Sequence, residues 1–110
     1  MNNHFCRRLL DVALLPSFLP VEIGADQAVV IDVLRASTTI VHALDVGATA
    51  VIPCLEIVDA VRLRDDDPSL LLGGERGGES IEGFDFGNSP MEYSREAVSG
   101  HRVAFTTTNG

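Results

Sequence analysis

Residues 28 to 34 read Ala-Val-Val-Ile-Asp-Val-Leu, apolar throughout except for Asp32. An unbroken apolar run of this length, rich in β-branched residues, predicts a strand buried on both faces, the pattern of a parallel sheet covered by helices. The segments that follow agree. Ile40, Val41, Leu44 and Ala48 fall at helical spacing and predict a helix over 38–48, with Ser37 or Thr38 as cap and Gly47 at its end. Residues 50 to 55 predict a strand, where Pro53 marks an edge or a strand end. Residues 56 to 64 predict a second helix, with acids near its start and arginines near its end.

Further along, Leu70 to Leu72 predict a short strand and residues 73 to 89 a glycine-rich polar loop. Ser89-Pro90-Met91-Glu92 has the form of a capping box opening a third helix, closed at Gly100, before a strand at Arg102–Thr106. The N-terminal stretch up to Pro20 is read as a first strand. Arg7 and Arg8 precede a short apolar stretch, but Asp11 interrupts it and no small-residue cleavage site closes it. The order β-β-α-β-α-β-loop-α-β predicts an α/β fold with a largely parallel or mixed sheet.

Charge and cysteine usage narrow the function. Sixteen acidic residues face eight basic ones, for a net charge of −8, and every basic residue is Arg. Such a chain is a poor partner for nucleic acid or an anionic membrane. Cys6 and Cys54 have no metal or redox spacing and read as reduced thiols in a cytoplasmic protein. Cys54 also lacks the Arg of a phosphatase loop, since Ala60 stands at that spacing. Asp65-Asp66-Asp67 reads as a solvated turn, and His4, His42 and His101 are scattered.

In open α/β sheets ligands bind beyond the carboxyl ends of the strands. Asp32 and Arg35 follow one strand, Gly73 to Gly78 another, and Thr106 to Gly110 a third. Asp32 interrupts an apolar run, so its charge needs a partner, either Arg35 or a ligand. Arg35 offers a planar fork for phosphate, carboxylate or sulfonate. Ser37 and Thr38 stand where helix N–H groups favour an anion, or simply cap the helix. Glu75 and Arg76 are bracketed by four glycines, of which Gly74 allows a ligand to approach the backbone. Asp85 and Asn88 are polar groups set among Phe84, Phe86 and glycines, and Thr107, Thr108 and Asn109 form a dense set of short hydrogen-bonding side chains.

Four segments, VVIDVLRAST, LLLGGERGG, IEGFDFGNSP and TTTNG, together resemble the 2-phosphosulfolactate phosphatase family in order and approximate spacing. The resemblance covers residues 10 to 110. It implies a three-layer α/β/α sandwich, of which residues 1 to 110 form the N-terminal part, the C-terminal half being absent from this sequence. It implies hydrolysis of (2R)-phospho-3-sulfolactate, a step of coenzyme M biosynthesis in methanogens, to 3-sulfolactate and phosphate with Mg²⁺ as cofactor. A homodimer is a further implication.

Matched motif by motif, Asp32, Arg35, Glu75, Arg76 and Asp85 are the catalytic candidates. Ser37, Thr38, Gly74, Asn88, Thr107, Thr108 and Asn109 are the substrate-binding ones. Asp32, Glu75 and Asp85 stand as equal candidates for metal ligands. A phosphoaspartyl route through Asp32 and direct attack by water are both open. A non-catalytic anion-binding module and an inactive fragment of the enzyme are the competing readings.

Overall fold

A computed structural model describes residues 10–19 and 27–108. Its elements are α1 (Ala36–Asp45), β1 (Ala50–Pro53), α2 (Ile57–Asp66), β2 (Leu71–Arg76), β3 (Glu79–Ser80), α3 (Arg95–Val98) and β4 (Arg102–Thr106), with 3₁₀ turns at Pro16–Phe18 and Pro90–Glu92. The strand order is β1-β4-β2-β3. β1 and β2 both pair with β4 in parallel, and β3 closes the edge antiparallel to β2. The sheet is mixed, as the alternation of helices and strands predicts.

Strand pleating sorts β4 into two faces. Val103 and Phe105 pack with Ala36, Ala43, Tyr93 and Val98 on the side of α1 and α3. Ala104 packs with Leu72, Leu70 and Ala60 on the side of α2. Helices therefore cover both faces of the sheet in three layers. Pro53 ends β1 at the sheet edge, the position its missing N–H allows.

Several expectations are corrected. The run at 28–34 forms no strand. Residues 27–32 carry no ladder partner, Val33–Arg35 turn into α1, and Val29, Val30 and Ile31 are 84%, 82% and 80% exposed. A run apolar on both faces needs a strand neighbour and two covering layers, and among the described residues neither is offered to it. Residues 10–19 hold a 3₁₀ turn where a first strand was expected, and the rest of that stretch lies outside the described residues.

The glycine-rich segment is a loop only in part. β2 runs on through Gly73, Gly74, Glu75 and Arg76, β3 takes Glu79 and Ser80, and the irregular loop expected there is confined to residues 81–89. Arg76 pairs with Glu79, so the glycines make a two-residue hairpin turn, and both have positive φ (60° and 85°) as that turn requires. The capping box at Ser89 and Glu92 is present but opens a single 3₁₀ turn. The short α3 has its own cap in Ser94, which accepts from the Ala97 N–H. Asp65 and Asp66 finish α2.

Candidate functional site

The parallel strands β1, β4 and β2 bring their carboxyl ends to one edge, and two hydrogen-bond networks fasten that edge. In the first, the Arg76 guanidinium donates to the Leu55 carbonyl at 2.6 Å and to Thr106 Oγ1 at 2.8 Å. Arg76 thereby joins the ends of all three strands. In the second, Glu75, one residue earlier and so on the opposite face of β2, accepts the Thr108 N–H at Oε1 (2.6 Å). Its Oε2 accepts the Gly78 N–H (2.7 Å) and the Thr108 hydroxyl (2.9 Å). Burial raises the affinity of Glu75 for a proton. The three donors and the neighbouring Arg76 charge together outweigh burial and hold the carboxyl below the ordinary glutamate value.

On the Glu75 side lies an open cleft of about 340 Å³, lined by Arg35, Glu75, Gly78, Glu79, Ser80, Gly87, Asn88, Ser89 and Glu92. Arg35 reaches it from the N-cap position of α1. Asn88 reaches it from the segment before the 3₁₀ turn. The Asn88 backbone carbonyl accepts from the buried Thr39 hydroxyl at 3.2 Å, which ties this segment to α1. Asn88 Oδ1 is buried and has no hydrogen-bond partner among the described residues. A buried polar atom left unmatched is uncommon.

Three residues predicted from sequence, Arg35, Glu75 and Asn88, thus meet in one cleft, with Thr108 bonded to Glu75 at its wall. The others are placed elsewhere. Asp85 turns toward α2: its Oδ2 pairs with Arg64 and accepts the Leu72 N–H at 2.8 Å. Arg76 is committed to the strand ends. Gly74 is buried in β2, its N–H shared between the Phe86 and Gly87 carbonyls. Asp32 is half-buried and its backbone carbonyl accepts the Ser37 N–H at 3.1 Å, but it does not line the cleft. Ser37 and Thr38 open α1 outside the cleft, and the Thr38 hydroxyl donates back to the Val33 carbonyl. Neither caps α1 through its side chain. Thr107 follows β4 directly, and Asn109 lies outside the described residues.

Sequence reasoning missed Glu79, Ser80 and the wall formed by Ser89 and Glu92. The capping box held the signal for the last two: reciprocal bonding of Ser89 and Glu92 fixes both beside Asn88.

A Mg²⁺ ion needs several oxygens converging on one point. Among the described residues no three His, Cys, Asp or Glu side chains are so grouped. Asp32, Glu75 and Asp85 do not converge into such a set, Glu75 being tied to Gly78 and Thr108 and Asp85 to Arg64, so they do not fit the ion in this arrangement. Among the described residues no helix is long and apolar enough to cross a membrane.

A family model described as 2-phosphosulpholactate phosphatase matches residues 14–110. A probable 2-phosphosulfolactate phosphatase of Caldicellulosiruptor saccharolyticus is 54% identical over 83 residues, covering 76% of this chain and 34% of that protein. The protein of the same name from Thermotoga petrophila is 48% identical over 102 residues, covering 93% of this chain and 43% of that protein. That of Deinococcus radiodurans is 53% identical over 85 residues, with 77% and 35% covered. The chain spans less than half the length of each of these relatives.

Proposed function

Because this chain belongs to the 2-phosphosulfolactate phosphatase family, we propose that it carries part of a phosphoric monoester hydrolase site that takes (2R)-phospho-3-sulfolactate or a related 2-hydroxyacid phosphate. The observation that supports this reading is the open cleft that Arg35 and Asn88 line together.

Each group has a role in that reaction. The substrate presents phosphate, sulfonate and carboxylate oxygens. Arg35, at the N-cap position of α1, matches a tetrahedral oxyanion with two parallel N–H donors. As water attacks phosphorus and the ester P–O bond breaks, charge spreads over the non-bridging oxygens, where a fixed guanidinium lowers the barrier. Asn88 supplies a short, neutral polar group that orients the substrate and adds no charge. Glu75, Glu79 and Glu92 surround a single arginine, so the cleft repels anions except along the line that Arg35 defines. Mg²⁺ enters as a variable of the assay.

The test is phosphate release from (2R)-phospho-3-sulfolactate and from other 2-phospho-hydroxyacids, with and without Mg²⁺. Release that falls in Arg35→Lys and Asn88→Ala supports the proposal. Binding of the ester by calorimetry without release marks a non-catalytic anion-binding module. Absence of both overturns the reading.

A further inference from the structure

Glu75 and Thr108 belong to different motifs 33 residues apart, yet two hydrogen bonds join them directly. Thr108 is shared further: its Oγ1 accepts the Gly77 N–H at 2.8 Å while its own hydroxyl donates to Glu75. Gly78 closes the ring through its N–H to Glu75 Oε2. The end of β2, the β2–β3 turn and the segment after β4 are thereby fastened around one carboxylate. That residue is 8% exposed. Its Oε1 accepts one hydrogen bond and its Oε2 two, so three of its roughly four lone-pair sites are taken, and among the described residues no group of three His, Cys, Asp or Glu side chains forms that could share an ion with it.

We infer that Glu75 is a positioning residue, whose carboxylate fixes the Gly77-Gly78 turn to Thr108 as one rigid wall of the cleft, and that it is not a metal ligand. Gly78 and Glu75 themselves line the cleft, so loosening this ring changes the shape of the space beside Arg35. Only the kinetic consequence rests on the phosphatase reading.

Amide hydrogen exchange on the chain tests the ring itself. In Glu75→Gln and in Thr108→Val, the amides of Gly77, Gly78 and Thr108 are expected to exchange together, roughly tenfold faster or more. Those of Val103 and Ala104 in β4 keep their protection, and Thr108→Ser, which retains the hydroxyl, restores the slow exchange. Unchanged protection in Glu75→Gln would overturn the inference. A Mn²⁺ titration supplies the second arm: preferential broadening of the Gly78 and Thr108 resonances marks Glu75 as a ligand and also overturns it. In the kinetic arm, Glu75→Gln raises KM for the phosphate ester roughly fivefold while kcat falls less. A loss confined to kcat counts against positioning. Wild-type protein that releases no phosphate removes the phosphatase reading and leaves the exchange result standing.

Discussion

The Tyr93 hydroxyl stands in the space that a side chain at Gly73 would need: a Cβ there would lie 2.2 Å from the hydroxyl oxygen and 3.3 Å from the Phe105 ring. The same hydroxyl donates to the Gly87 carbonyl at 2.7 Å, and Tyr93 is 1% exposed. Burial and the nearby Glu92 charge push its pKa up, so it remains a donor at any ordinary pH. This contact joins the Gly74 N–H bonds to the Phe86 and Gly87 carbonyls in holding β2 against the segment that walls the cleft.

Gly73→Ala is expected to lower stability by about 2–3 kcal/mol, because neither the ring nor the strand has room to yield. Tyr93→Phe is expected to lower it by about 1 kcal/mol, the consequence of leaving the Gly87 carbonyl with only its share of the Gly74 N–H. The double variant separates the two effects. Once the hydroxyl is gone, the alanine has less to displace, so the combined loss should fall short of the sum by about 1 kcal/mol. Urea unfolding followed by far-ultraviolet circular dichroism measures all three, and strict additivity would contradict the packing described.

Asp85 holds the Gly83–Asn88 loop to two elements at once. Its side chain meets Arg64 of α2 and the Leu72 N–H of β2, and the Asp85 and Phe86 N–H groups both return to the Leu72 carbonyl at 2.9 and 3.1 Å. Asp85→Ala removes the side-chain half of this arrangement. A loss of about 1–2 kcal/mol is expected, most of it from the uncapped Leu72 N–H, because the ion pair is a third exposed and solvent weakens it. Asp85→Asn, which keeps an acceptor for Leu72, should lose about half as much. A midpoint for Asp85→Ala equal to wild type would show that the loop is held by its backbone alone.

The outer helices and β4 were legible from sequence because their signals are local: periodicity for α1 and α2, a capping box at Ser89, an apolar run at 103–105. Glu75 and Asp85 were legible as unusual residues but not as structural ones. A carboxylate among glycines looks the same whether it meets a substrate or its own backbone, and the partners that decide between these, Thr108 and Leu72, lie 33 and 13 residues away. The run at 28–34 failed for a related reason. Its apolarity states that both faces require cover, and that is a property of whatever packs on it. Asn88 was singled out because polar residues between aromatics and glycines have no local explanation, and its Oδ1 has no partner among the described residues.

Glu75 also gives the chain an acid sensitivity of known sign. Its folded-state pKa lies below the unfolded value, so the carboxylate contributes its full stabilisation above the unfolded pKa of about 4.3. That contribution disappears as pH falls through the lower, folded value. Asp67, depressed by Ser69 and then by Arg102, titrates in the same direction. One unfolding curve therefore mixes both groups, and the comparison of wild type with Glu75→Gln isolates one. The stability difference between these two proteins should be constant from about pH 7 to pH 5 and shrink steadily below about pH 4. A difference that persists undiminished at lower pH would mean that the lost hydrogen bonds do not depend on the charge of Glu75.

Arg35 and Asn88 should part company from all these residues, because they face the cleft. Arg35→Lys keeps the charge and loses the fork, so kcat/KM for the phosphate ester is expected to fall roughly 10- to 100-fold with little change in unfolding midpoint. Asn88→Ala deletes a buried oxygen that no described group satisfies. A structural asparagine would destabilise the fold when removed. An unmatched one should leave stability unchanged or raise it by up to about 1 kcal/mol, while kcat/KM falls roughly tenfold. The opposite movement of the two quantities is the signature of a group held ready for a ligand. If stability and activity fall together in Asn88→Ala, the side chain is part of the scaffold and the cleft loses its second contact.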